Sequence, residues 1–151
     1  MGVRTSSAVF AVMRVMVLLI AAGPALALQV IEPAFERIRL EPVTSYYCDP
    51  DAAMTIQQAA AQTYEPLPNG RISFGYHQAQ RCWFRFQLLN TSTEQRNLIL
   101  DVNYGLIDEL VLYRQQERGW ASERVGDAVP FLERPLDTRK NLFPIQLAPG
   151  E

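Results

Sequence analysis

Apolar and polar residues alternate with a period of two through most of the chain beyond residue 28. Across residues 83–89, Phe84, Phe86 and Leu88 fall on one side, with Trp83, Arg85 and Gln87 on the other. Across 98–104, Leu98, Leu100, Val102 and Tyr104 oppose Ile99, Asp101 and Asn103. A third run is less clean, setting Ile107, Glu109, Val111 and Tyr113 against Asp108, Leu110 and Leu112. Period two is the mark of a strand with one face turned to a core. Strands are predicted over 71–74, 83–89, 98–104, 106–114, 120–125 and 142–147, with shorter β-type pieces at 37–40 and 43–47 around Pro42. Turn-rich stretches divide them, among them NTSTEQRN at 90–97, Gly105, QERG at 116–119 and Gly126-Asp127. One segment differs: Thr55 is placed to cap a short Ala/Gln-rich helix running to Gln62, and Pro66 and Pro68 end any helix before the Asn69-Gly70 turn. Short strands at this spacing with one brief helix predict an all-β antiparallel β-sandwich, its core holding Phe84, Phe86, Leu98, Leu100 and Val102.

The first 27 residues follow other rules. Arg4 and Arg14 precede the apolar run from Val15 to Ala22, Gly23-Pro24 breaks it, and Ala25-Leu26-Ala27 closes it. A basic start, a short apolar stretch and an A-x-A site make a signal peptide, with cleavage expected after Ala27. The apolar stretch falls short of the roughly 20 residues that a membrane span needs. The remaining 124 residues make one domain, divided into a lead-in at 28–42 and the β-sandwich at 43–151. This mature chain carries 12 Lys+Arg against 16 Asp+Glu, a net charge of −4. Mild acidity argues against nucleic acid, whose binders show a basic face. In an oxidising compartment the two cysteines, Cys48 and Cys82, read as a disulfide, with two buried thiols or a metal site as the alternatives.

Catalytic signatures are absent: no G-x-S-x-G, no H-E-x-x-H, no phosphate loop and no Gly-rich dinucleotide fingerprint. The single histidine, His77, has no metal-ligand spacing around it. Asp108 and Glu109 are neighbours on a strand and so point to opposite faces, which denies them a shared acid–base role. Asp49-Pro50-Asp51 is turn chemistry, with calcium the weaker reading. The expectation is therefore no enzyme, no metal and no cofactor.

Three longer stretches carry a family resemblance. ISFGYHQAQRCWFRFQLLNTS at 72–92 and LILDVNYGLIDELVLYR at 98–114 are followed by VGDAVPFLERPLDTRKNLFPIQLAPGE at 125–151. In this order they resemble the type-2 extracellular domain of bacterial seven-transmembrane receptors with diverse intracellular signalling modules, the 7TMR-DISM family. The resemblance extends loosely back to Val43. It implies a jelly-roll-like β-sandwich, similar to carbohydrate-binding modules, lying outside the cytoplasmic membrane and sensing a small ligand of the sugar kind. It also implies a seven-helix membrane region and an output module, neither of which lies within these 151 residues. The strand at 142–147 turns at Pro149-Gly150 just before Glu151, so a sandwich of this kind is expected to continue past it.

Candidate ligand contacts are Trp83, Arg85, Tyr104, Asp108, Arg134 and Arg139, with Tyr76 as a further aromatic wall. An indole stacks on an apolar sugar face, and a guanidinium anchors hydroxyl or carboxylate oxygens. The competing reading packs Trp83 beneath a loop or the Thr55 helix and pairs Arg85 with Asp101 on a neighbouring strand. Arg134 and Arg139 read equally as loop-fixing or solvated groups. The rival function is a structural or protein-interaction domain that docks a partner through its aromatic face or an exposed edge.

Overall fold

The computed structural model describes residues 27–32, 34, 36–70 and 80–151. Its elements run β1 (Leu28–Ile31), β2 (Ser45–Asp49), α1 (Ile56–Ala60), β3 (Glu65–Pro66), β4 (Arg81–Arg85), β5 (Gln87–Asn90), β6 (Arg96–Asp101), β7 (Leu110–Gln116), β8 (Gly119–Val125) and β9 (Leu142–Leu147). The strand predicted over 71–74, together with Tyr76 and His77, lies outside the described residues.

The strands form small sheets: β3-β2-β4, β6-β9 and β7-β8 are antiparallel, while β1 and β5 pair in parallel. The architecture is mainly β with one short helix, and among the described residues the sheets do not close into a sandwich or jelly roll. The parallel β1–β5 pair also departs from the purely antiparallel expectation. Two strands close in sequence to different partners need no hairpin, so β5 is free to accept the N-terminal strand alongside it.

A core gathers several of these sheets. Ile31 of β1 and Ile145 and Leu147 of β9 are buried together, and Ile38, Leu88, Leu98, Leu100 and Leu112 pack against them. On β6 the alternation holds as predicted: Leu98 lies opposite Ile145 and Leu100 opposite Phe143, while Ile99 points outward, 55% exposed. Phe143 and Val125 are almost wholly buried, and each such side chain contributes roughly 1.5–3 kcal/mol relative to exposure.

The predicted strand over 83–89 divides at Phe86. Its first half, β4, stays in the ladder with β2, and its second half, β5, crosses to β1. A strand that changes sheet must bend, and the bend falls between Arg85 and Gln87. The piece at 37–40 is not a strand, and Val43 belongs to a 3-10 turn, Glu41–Val43, entered through Pro42. Proline locks its own backbone and donates no hydrogen bond, so the ladder starts only at Ser45.

Two further strands are shorter than their alternation suggests. After Asp101 the chain tightens, Tyr104 N–H donating to the Val102 carbonyl at 2.7 Å, and Tyr104 swings out to 54% exposure rather than joining Leu98 and Leu100. The run from Leu106 becomes a strand only at Leu110. The Ile107 and Asp108 carbonyls instead accept from the Asp127 and Ala128 amides of the loop after β8. Gly126, at φ 127°, makes that crossing feasible, because a Cβ there would collide with the Asp108 carbonyl. Thr55 caps α1 as expected: its hydroxyl accepts from Gln58 N–H, and the Gln58 side chain accepts from the Thr55 amide.

Candidate ligand-binding face

Register decides which side chains meet on the β2–β4 ladder. Arg81, Trp83 and Arg85 lie opposite Asp49, Tyr47 and Ser45, so these six share one face. The other face carries Cys48 opposite Cys82 and Tyr46 opposite Phe84. Cys48 and Cys82 are joined in a disulfide with a Cα–Cα separation of 4.0 Å, which pins this register and bears out the cysteine pairing.

Tyr64, just ahead of β3, folds onto the first of these faces. The Arg85 guanidinium lies 4.1 Å from its ring centroid, and the Tyr47 ring is 6.2 Å away at a 52° tilt. From β7, Tyr113 reaches across to Trp83, the two rings 5.8 Å apart. Five side chains from four segments thus make one aromatic and cationic face. Trp83 packs on Tyr113 of β7, and Arg85 makes no ion pair with Asp101, which lies opposite Leu142 on β9.

The electrostatics of this face are one-sided. Trp83 Nε1 and Arg85 Nε are buried and have no hydrogen-bond partner among the described residues. A buried donor left unpaired costs about 1–3 kcal/mol. Asp49 shares the face, yet its carboxylate is committed to the Asp51 amide at 3.2 Å and the Met54 amide at 2.8 Å, which builds the turn at Pro50 rather than a calcium site. Burial pushes the Tyr64 phenol above its ordinary range, the Arg85 charge pulls it back, and Tyr47 adds to the rise. The phenol therefore stays protonated at neutral pH and offers a hydroxyl.

The remaining candidates sit elsewhere. Arg134 donates from Nε to the Val129 carbonyl, from Nη1 to Thr138 and from Nη2 to Gly126, bracing the loop between β8 and β9. Asp108 meets that loop through its carbonyl, and its side chain is exposed. Tyr104 is exposed, and its carbonyl accepts from Asn141 Nδ2 at 2.8 Å. Arg139 is exposed. No hydrogen bond, ion pair or ring contact seen among the described residues joins these four to Trp83 or Arg85. The alternation singles out Trp83 and Arg85 but misses Tyr47, Tyr64 and Tyr113. Tyr47 does alternate with Ser45 and Asp49, yet only register places it beside Trp83, and Tyr64 has no periodic signal.

A separate open groove of about 340 Å³ is lined by Ser122, Glu123, Arg124, Glu133 and Pro135. Its arginine is already engaged: Arg124 bridges Glu133 at 2.8 Å and Glu109 at 3.4 Å. Its charges are thus matched internally, whereas Arg85 makes no ion pair among the described residues and the acid on its face, Asp49, is taken by two backbone amides.

Residues 41–151 match the family described as 7TMR-DISM extracellular 2. No curated protein and no solved structure is matched by the chain. The match covers most of the 151 residues, and it includes every strand of the aromatic face. The chain belongs to the 7TMR-DISM extracellular 2 family, the extracellular sensor domains of seven-transmembrane receptors.

Proposed function

We propose that this chain is a noncatalytic periplasmic domain that binds a small molecule and passes that event to a seven-helix membrane region. Residues 1–27 serve as the signal peptide, 28–42 lead in, and 43–151 form the sensor, with a jelly-roll-like sandwich as its complete arrangement. The packing of Trp83 on Tyr113, between the β4 and β7 sheets, supports two layers meeting face to face.

The observation that carries the reading is the set of Trp83, Arg85, Tyr47, Tyr64 and Tyr113, an aromatic surface with two unanswered donors. A ligand on it would touch both sheets at once. Binding signals only where it favours one arrangement of those sheets over another, and a contact spanning two sheets has that property. Calorimetric titration of the exported protein against a library of sugars and small carboxylates tests it. Saturable binding is expected, weakened about tenfold or more by Trp83→Ala, as for an aromatic anchor at the centre of a contact. The Trp83→Phe variant, which keeps an aromatic ring against Tyr113, controls for loss of folding. Failure of the whole library to bind, or unchanged affinity in Trp83→Ala, would overturn the proposal.

A partner-docking domain is the second reading, favoured by Leu132, which stands 98% exposed beside the exposed Phe131 on the loop that Arg134 braces. Protein association abolished by Leu132→Asp, with no small ligand bound, would favour docking instead.

A further inference from the structure

The donors of the aromatic face define the ligand's chemistry more narrowly than its rings do. An indole N–H only donates, and a guanidinium has five donors and no acceptor. Trp83 Nε1 and Arg85 Nε are both buried without a partner, and the Arg85 guanidinium makes no ion pair among the described residues. The ion pairs of the described residues belong to other arginines: Arg114 with Glu123, and Arg124 with Glu109 and Glu133. The acid that does share the face, Asp49, is committed to two backbone amides. What is lacking here is therefore an acceptor, and for Arg85 a negative one.

The geometry of Arg85 sharpens this. Tyr64 covers one face of the guanidinium at 4.1 Å, which holds its plane and leaves its N–H edge to make the in-plane contacts. A planar fork of donors matches a carboxylate, which takes two parallel hydrogen bonds. A neutral polyol would bring its own hydroxyl donors to a surface already rich in them, and it has no charge to set against Arg85. Two residues along the same face of β4, roughly 7 Å away, Trp83 and Tyr113 offer ring surface for an apolar body.

We propose that the ligand of this face is a small organic acid with a flat apolar side: its carboxylate sits on the N–H edge of Arg85 and its body lies against Trp83. This rests on the reading of the domain as a ligand sensor, and it selects anionic over neutral ligands at that site.

The test uses the exported, disulfide-bonded protein and four compounds in matched pairs: phenylacetate with phenylacetamide, and glucuronate with glucose. Each is titrated by calorimetry and by indole fluorescence. At least one acid is expected to bind about tenfold or more tightly than its neutral partner, the advantage that a charge-assisted pair has over a neutral hydrogen bond. Arg85→Gln should remove that preference, bringing the acid's affinity down to that of its neutral partner, and Arg85→Lys should restore only part of it. The unmutated protein decides the matter even where a variant folds poorly. Equal binding within both pairs, binding of the neutral members alone, or no binding by either acid overturns the proposal. Saturable binding of glucose or phenylacetamide that depends on Trp83 would leave the sensor reading standing while the acid preference falls. Failure of all four, together with the wider library, removes both.

Discussion

Single residues at this domain's turns carry more than their sequence context suggests. Asn90 is fully buried at the end of β5. Its Nδ2 donates to the carbonyls of Glu94 at 2.8 Å and of Leu147 and Ala148 at 3.1 Å, while its Oδ1 accepts from the Ser92 amide and hydroxyl. Its amide donates to the Glu151 carbonyl, and its own carbonyl accepts from Gly150. Asn90→Ala takes the side-chain donor from the Leu147 carbonyl and the acceptor from the Ser92 amide, while the Glu94 and Ala148 carbonyls keep the Ser92 hydroxyl and the Glu151 amide. A loss of about 3 kcal/mol is expected, read as a lower urea midpoint with an unchanged slope. A shift of less than about 1 kcal/mol would show that water replaces the amide without loss. The sequence marks Asn90 as the opening of a turn, which it is. Its hold on β9 escapes notice there, because the Leu147 carbonyl is 57 residues away. Arg134 teaches the same lesson: three carbonyls of its own loop occupy a side chain that composition alone offers as a ligand contact.

Among elements, the β2–β4 ladder and the β4–β5 bend position the aromatic face. The Cys48–Cys82 bridge links directly opposed residues separated by 34 positions. It lies on the reverse side of the strands that display Tyr47 and Trp83, so it sets their register without touching a ligand. Replacing both cysteines with serine should cost ~3–4 kcal/mol by the loop-entropy estimate, and reducing the wild-type protein should lower its urea midpoint by a similar amount. Coincident midpoints for the reduced and oxidised forms would refute a stabilising role. Alternation located β8 and β9 to within a residue, placed the end of β6 three residues too late, and found the capped helix at Thr55. It merged β4 with β5, because alternation continues unbroken through Phe86 while hydrogen bonding does not. It passed over β1, a strand of four residues whose pairing with β5 is set by contact across the fold.

At the scale of the molecule, export and folding meet at residue 28. Cleavage after Ala27 would leave Leu28, the first residue of β1, at the mature N terminus, ready to pair with Gln87. Mass spectrometry of the secreted protein should therefore find a chain beginning at Leu28, and retention of residues 1–27 would overturn the signal-peptide assignment. The sequence by itself determined what neighbouring residues decide together: the β character of the chain, the capped helix, its turn-rich separators and the prominence of Trp83 and Arg85 on one side of a strand. Those properties come from backbone sterics and side-chain spacing over a few residues, so a local reading suffices. Only the tertiary structure decided that β1 runs parallel to β5, that Tyr64 covers Arg85 and that Tyr113 reaches Trp83. Many registers and partners satisfy the same alternation, and the choice among them rests on packing between residues far apart in the chain, which no local pattern records.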